Sequence, residues 1–291
     1  MVNKKIAAYI LIAPAILVLL FMIGYPLIFG FNLSFTNMNL THFLKYQYIG
    51  LENYKNILTD TELYTTAWRT IVWTAVNVAV TVIIGICLAI TLNRKLPGKT
   101  FLRVLLMLPW AVPQYIAVLT WKNMFQSQFG TVDIILNKIG ITGISWLSDP
   151  LWTFIACIIT NIWLGVPFMM VIALGAMQSI PSEMYEVGEL DGVTSWAKHL
   201  RITLPLIKPV MTPAIILSSV WTFNMVTVIF MMTGSAADNQ TQILVSRVYK
   251  DGFTYFNYSK AATFSVIIFL ILLSFSGSFL KAMKGGEGVY D

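Results

Sequence analysis

The chain has 291 residues, 57% of them hydrophobic and only 11% charged, with a formal net charge of +6. That charged share is less than half of what a soluble domain carries, so an ordinary soluble fold is excluded. The positive charge is no nucleic-acid signal either, because the basic residues sit in short segments between apolar runs, where they set orientation.

Six runs are long enough to cross a hydrocarbon core that needs roughly 20 apolar residues. In chain order they cover about Ile6–Phe31, Trp68–Leu92, Val104–Trp121, Leu151–Met177, Val210–Thr233 and Ala261–Leu280. One such run could be a buried core helix, but six cannot, and the ~10-residue alternating segments of a transmembrane barrel are absent. The expected fold is an all-α integral membrane protein with six transmembrane helices, in one domain over residues 1–291. The segments 1–5, 93–103, 178–209 and 281–291 hold 11 of the 19 Lys and Arg in 59 residues. The opposite segments, 34–70, 122–150 and 234–260, hold eight in 93. Both termini are therefore expected on the cytoplasmic side of a cell membrane.

The first run follows Lys4 and Lys5. It continues past Pro14 and Pro26, beyond the ~7–15 apolar residues of a secretory signal, and reads as an uncleaved span. Cys87 and Cys157 fall mid-span on different helices and read as small packing residues, with no metal motif. The outer segments, such as the amphipathic piece in 32–66, are too short to fold alone. Pro97-Gly98-Lys99-Thr100 ends like a phosphate-binding loop, but Asn93 stands where its first glycine belongs and no strand precedes it. No catalytic residue, metal site or ATP site is expected in this chain.

An ion-coupled transporter needs ionisable side chains at membrane depth, and none of the six apolar interiors holds one. A sodium site made of carbonyls and hydroxyls, or a channel, stays compatible with composition. A membrane enzyme does not, since HExxH, GxSxG and any His–carboxylate cluster are lacking.

The informative anomaly is Met184–Pro205, a polar island holding Glu186, Glu189, Asp191, Lys198, His199 and Arg201. Pro181 suits the first turn of a helix over Glu183–Leu190, with Met184, Val187 and Leu190 on one face. Gly192 ends it, Ser195 is the expected N-cap of a second short helix through Arg201, and Pro205 closes that helix.

This helix–glycine–helix loop resembles the EAA loop of permease subunits of binding-protein-dependent ABC importers. That pattern runs E-A-A, three residues, G, nine residues, I-x-L-P. Here Glu186 precedes Gly192, and nine residues later come Ile202-Thr203-Leu204-Pro205; Val187 and Gly188 replace the two alanines. The resemblance implies a type I importer permease whose loop 178–209 docks on a separate ATPase through Glu186, Val187, Gly188, Asp191 and Gly192. Leu108–Pro113 (LPWAVP), Trp146–Pro150 (WLSDP) and Asn161–Met170 (NIWLGVPFMM) narrow it to the larger permease subunit of maltose/maltodextrin importers, in a short six-span form.

Sugar sites set a few polar groups among aromatic faces, and the fourth and fifth spans offer both. Asn161, Trp163, Gly165 and Phe168, then Ser218, Trp221, Thr222 and Asn224, are the candidates by residue chemistry. Helix–helix hydrogen bonding is an equal alternative for Asn161, Ser218 and Thr222. The resemblance implies a substrate path through Asn161, Leu164, Gly165, Phe168, Ser218, Thr222 and Met225, to which Trp221 and Asn224 are added. Phe168, Thr222 and Met225 stand where the maltose subunit tends to have Tyr or Asn, leaving fewer polar groups. Pro109, Pro113, Pro167 and Pro213 are expected to mark kinks that shape the cavity without touching cargo. The implied partners are a second, related permease subunit, two copies of an ATPase that holds ATP and Mg, and an extracytoplasmic sugar-binding protein. An importer of another sugar or of glycerol-3-phosphate is the competing reading, though no span offers a cation for a phosphate; an ion-coupled secondary transporter is remote.

Overall fold

The computed structural model describes residues 4–94, 96–127, 129–234 and 240–287. These form helices α1 (Lys4–Leu19), α2 (Tyr25–Leu33), α3 (Glu52–Thr59), α4 (Thr61–Asn93), α5 (Lys99–Ala111), α6 (Gln114–Met124) and α7 (Thr131–Lys138). They continue as α8 (Pro150–Gln178), α9 (Ser182–Leu190), α10 (Ser195–Lys198), α11 (Leu204–Phe223), α12 (Val226–Thr233), α13 (Leu244–Tyr249) and α14 (Tyr258–Glu287). Among the described residues, five helical stretches are long and apolar enough to cross a membrane: Leu11–Leu33, Thr61–Asn93, Pro150–Gln178, Ser195–Thr233 and Tyr258–Gly277. A sixth forms only if α5 and α6, which bend by 94° at their junction, count as one span.

Of the two kinks expected in the third span, at Pro109 and Pro113, the bend falls at the second. Val112, held extended by the proline that follows it (ψ 135°), ends α5, and Pro113 precedes α6. The first span is continuous through a π turn at Leu20–Gly24. The fifth is interrupted at Asn224 and Met225, between α11 and α12.

The contacts divide the chain into two compact units, Met1–Thr65 with Arg247–Asp291, and Thr66–Ser246. In the first, α2 and α3 pack on α14. The buried Ser34 carbonyl accepts from Asn53 Nδ2 at 3.0 Å and Thr263 Oγ1 at 3.2 Å. Arg247 donates to Glu62 at 2.7 Å and Asp60 at 2.9 Å, and its guanidinium lies 5.4 Å from the Phe264 ring centroid. Asp251, buried beside it, lies 4.0 Å from Arg247 Nε and 3.7 Å from Lys260 Nζ. Burial pushes its carboxyl above the ordinary 3.8, against the pull of Lys260 and Arg247. The apolar side chains of the first span, among them Leu17, Phe21 and Ile28, are exposed, as a lipid-facing helix requires.

In the second unit the sequence WLSDP sets the start of α8. Asp149 caps it, its Oδ1 accepting from Leu151 N at 2.9 Å and Trp152 N at 3.1 Å, with Pro150 in the first turn, where a missing N–H costs nothing. Helices α4 and α8 run side by side in the same chain direction: Asn77 meets Asn161, Thr81 meets Gly165, and Gly85 meets Met169. Two apolar cores form along them. One gathers Trp73, Phe125, Trp146, Cys157 and Ile229; the other gathers Ala89, Met169, Leu174, Ile207 and Met211. On α8 Asn161 and Gly165 belong to neither core, while Leu164 packs against the first and Phe168 against the second; on α11 Ser218 and Thr222 belong to neither, and Met225 beyond them packs against the first. The polar stretch of each span thus lies at the level where the packing opens.

Candidate functional site: an uncharged cavity and an exposed loop helix

That opening is a cavity of about 300 Å³. From α4 comes Thr81; from α5 and its elbow come Pro109, Trp110, Val112 and Gln114. Helix α8 contributes Asn161, Leu164, Gly165 and Phe168, and α11 contributes Ser218, Trp221 and Thr222, with Met225 from the break below it. Eight of the ten sequence-derived candidates therefore line one space. Asn224 does not: its amide turns back to the Val220 carbonyl at 2.9 Å, at the end of α11. Trp163 faces Trp121 instead, ring centroids 5.8 Å apart.

The third-span residues Trp110 and Gln114 are not among the sequence-derived candidates, because expected kinks at Pro109 and Pro113 do not say which side chains turn inward. The signal was present in the two prolines of LPWAVPQ, since the elbow at Val112–Pro113 is what brings them to the cavity. Pro109 itself lines the cavity, against the expectation that the prolines only shape it, while Pro167 and Pro213 lie inside unbroken helices.

Among the described residues, no ionisable side chain lines the cavity. Its apolar wall includes the rings of Phe168 and Trp221, centroids 5.3 Å apart and tilted by 55°. Its polar groups, Thr81, Gln114, Asn161, Ser218 and Thr222, are all neutral. Such walls take an uncharged, hydroxyl-rich molecule, hydrogen-bonded at its edges and stacked on its faces. The walls are also cross-linked. Asn161 Nδ2 donates to Asn77 Oδ1 at 2.9 Å, Asn77 Nδ2 donates to the Trp73 carbonyl at 2.7 Å, and Trp73 Nε1 donates to the Thr222 carbonyl at 2.8 Å. Asn161 thus serves both alternatives weighed for it, a helix–helix bond and a cavity wall.

The polar island folds as a helix, a glycine turn and a helix. Helix α9 ends in a Schellman motif, with Val193 N bonded to the Gly188 carbonyl at 2.9 Å, Gly192 N to the Glu189 carbonyl at 3.0 Å, and Gly192 at φ +73°. Three details differ from the sequence reading. Pro181 precedes α9 by one residue, leaving Ser182 as its first. Thr194, not Ser195, caps α10, its hydroxyl accepting from Ala197 N at 3.4 Å. The second helix is not closed at Pro205: it passes through a π turn at His199–Thr203 straight into α11, and that change of register absorbs the proline.

Only Gly188 is buried along α9. A Cβ there would stand 2.8 Å from Ile202 Cδ1, so the missing side chain lets the helix rest on the following one. Tyr185 OH bonds Thr203 Oγ1 at 3.1 Å, and Lys198 pairs with Glu189. Met184, Val187 and Leu190 are all exposed, Leu190 to 89%, as is Trp196. Glu186 and Asp191 are exposed carboxylates. This nine-residue helix, with one buried position, thus carries an exposed apolar face edged by acids.

Comparison with known proteins gives a concordant result. Residues 81–283 match the family model of the binding-protein-dependent transport system inner membrane component. The trehalose/maltose transport system permease protein MalF of Thermococcus litoralis is 31% identical over 94% of this chain and 92% of its own length. The galactooligosaccharides transport system permease protein GanP of Bacillus subtilis is 34% identical over 91% of this chain and 67% of its own. In fold, a chain of a bacterial ABC transporter that imports the acidic polysaccharide alginate superposes with a TM-score of 0.83, covering 97% of this chain and 96% of that one at 19% identity.

Proposed function

This chain belongs to the binding-protein-dependent transport system inner membrane component family, and from that premise we propose that it is the membrane-spanning permease subunit of an ATP-driven importer of a neutral oligosaccharide of the maltodextrin type. The observation that carries the cargo class is the cavity: three aromatic side chains, five neutral hydrogen-bonding side chains and no charge among the lining residues. Relatives named for trehalose/maltose and galactooligosaccharides support a sugar. A glycerol phosphate or an acidic polysaccharide would want a cation in the path, and the cavity supplies none.

The motor lies outside the chain. Of two copies of an ATPase, holding ATP and Mg, one docks on α9 through the exposed Val187 and Leu190 face, with Glu186 and Asp191 at its edge and Gly188 and Gly192 setting its shape. A second, related permease subunit completes the translocation path. An extracytoplasmic binding protein delivers the sugar to the outer loops, with both termini of this chain in the cytoplasm of a bacterial cell. ATP-driven closure of the ATPases then moves α9, and because the chain runs unbroken from α10 into α11, the push reaches Ser218–Thr222 along one helix.

Uptake assays with a panel of maltotriose, trehalose, galactobiose, diacetylchitobiose and glycerol-3-phosphate test the cargo. Preference for a neutral oligosaccharide supports the reading, and preference for the phosphate overturns it.

A further inference from the structure

The geometry points to Asn77, backed by Trp73, as a positioning residue that fixes which hydrogen-bonding atom Asn161 offers to the sugar, an inference that rests on reading the cavity as the transport path. The chain of bonds starts from a group that has no choice. The main-chain carbonyl of Trp73 can only accept, so the Asn77 side chain must turn its Nδ2 toward it, 2.7 Å away. Asn77 Oδ1 is then committed to the other side, where it can only accept, and Asn161 must answer with its own Nδ2 at 2.9 Å. A flipped Asn161 would set two amide oxygens against each other in a buried site. The outcome is that Asn161 keeps its Oδ1 free.

That oxygen meets no donor among the described residues, and it is not sealed in as Thr74 Oγ1 and Trp146 Nε1 are. Asn161 lines the cavity, so the free acceptor faces the path. An acceptor at that point selects a cargo hydroxyl that donates. The same indole also holds the opposite wall. Trp73, fully buried, donates from Nε1 to the Thr222 carbonyl at 2.8 Å, where α11 ends and Met225 N bonds the same oxygen at 3.1 Å. Trp73, Asn77 and Thr81 follow at four-residue spacing on one face of α4. This stripe sets the polarity of one wall and the break in the other, and none of its first two members touches the cavity.

The test is a double-mutant cycle in the assembled transporter, reading KM and maximal rate for the best-transported member of the sugar panel. Asn161→Ala is expected to raise KM about ten-fold with little change in maximal rate. Asn77→Leu leaves Asn161 free to flip and is expected to raise KM by a similar factor, and the double variant should be no worse than either single one. Asn77→Ala replaces the leucine variant if that one does not assemble. The inference is overturned if Asn77 substitution leaves KM unchanged, or if its effect multiplies with that of Asn161→Ala. It is equally overturned if only the amount of assembled protein falls. A silent Asn161→Ala, or no uptake of any panel sugar, would instead refute the cavity reading itself and take this inference with it.

Discussion

Gly188 and Ile202 approach so closely that a Cβ on the glycine would stand 2.8 Å from the isoleucine Cδ1. Ile202 opens the I-x-L-P end of the loop motif, and Gly188 occupies the second of the family's two alanine positions, so the contact ties the two halves of the motif together. The atom met is the tip of a flexible side chain, which can yield to a methyl group but not to a larger one. Gly188→Ala is therefore expected to keep near-normal ATPase retention in pulldown from detergent. Gly188→Ile should lift α9 off its support and cost about ten-fold in retained ATPase, since overpacking of this kind costs on the order of 1–3 kcal/mol. Equal retention by both variants would contradict the packing argument.

Trp221 shares the aromatic lining with Trp110 and Phe168, its ring centroid 5.3 Å from that of Phe168. Trp221→Ala should raise the KM for sugar uptake by about ten-fold, and Trp221→Phe should recover most of it, because a ring face is what the cargo needs. Copurification of partner subunits checks that assembly is unaffected in both.

The Arg247 side chain, 11% exposed, bonds two carboxylates from the start of α4 and covers the Phe264 ring. Arg247→Met leaves Asp60 and the buried Asp251 without their guanidinium. It is expected to lower stability by about 2 kcal/mol, a figure reduced for the partial exposure of Asp60 and Glu62. Arg247→Lys restores a charge but not the planar fork and should regain less than half. Thermal unfolding of the purified chain in detergent measures both.

Burial raises the Asp251 carboxyl above its ordinary range. Its proton is held more tightly in the fold than in the unfolded chain, so this residue favours the fold at pH below the ordinary carboxylate range. That contribution is lost as pH rises through the raised value. Asp251→Asn, neutral throughout, should flatten that fall in the unfolding temperature. An unchanged pH slope would show that the carboxylate is already ionised in the fold.

The spans and the loop were legible because each has a one-dimensional signature. Uncharged runs of bilayer length mark the spans, and the Glu186, Gly192 and Ile202–Pro205 spacing marks the loop. The cavity was half legible, because Asn161 and Ser218 are polar residues in apolar runs and draw attention to themselves. Gln114 was missed for a geometric reason: it reaches the cavity only after a 94° bend that two prolines permit but do not specify. Asn77 was missed because a single amide in an apolar run has no visible partner until α4 and α8 lie side by side. Asn224 misled in the opposite way, since its amide satisfies the frayed end of its own helix. Thr194 displaced Ser195 as a cap because both residues suit the role, and only the turn at Gly192 decides between them.

The central claim is that a partner ATPase drives this chain through α9. Its most direct test is uptake of labelled maltotriose, with the binding protein outside, into proteoliposomes carrying the assembled transporter with or without trapped ATP. The account predicts uptake only with internal ATP, abolished when Leu190→Asp places a charge on the exposed face of α9. Uptake at the same rate without ATP, or uptake indifferent to Leu190→Asp, would contradict it.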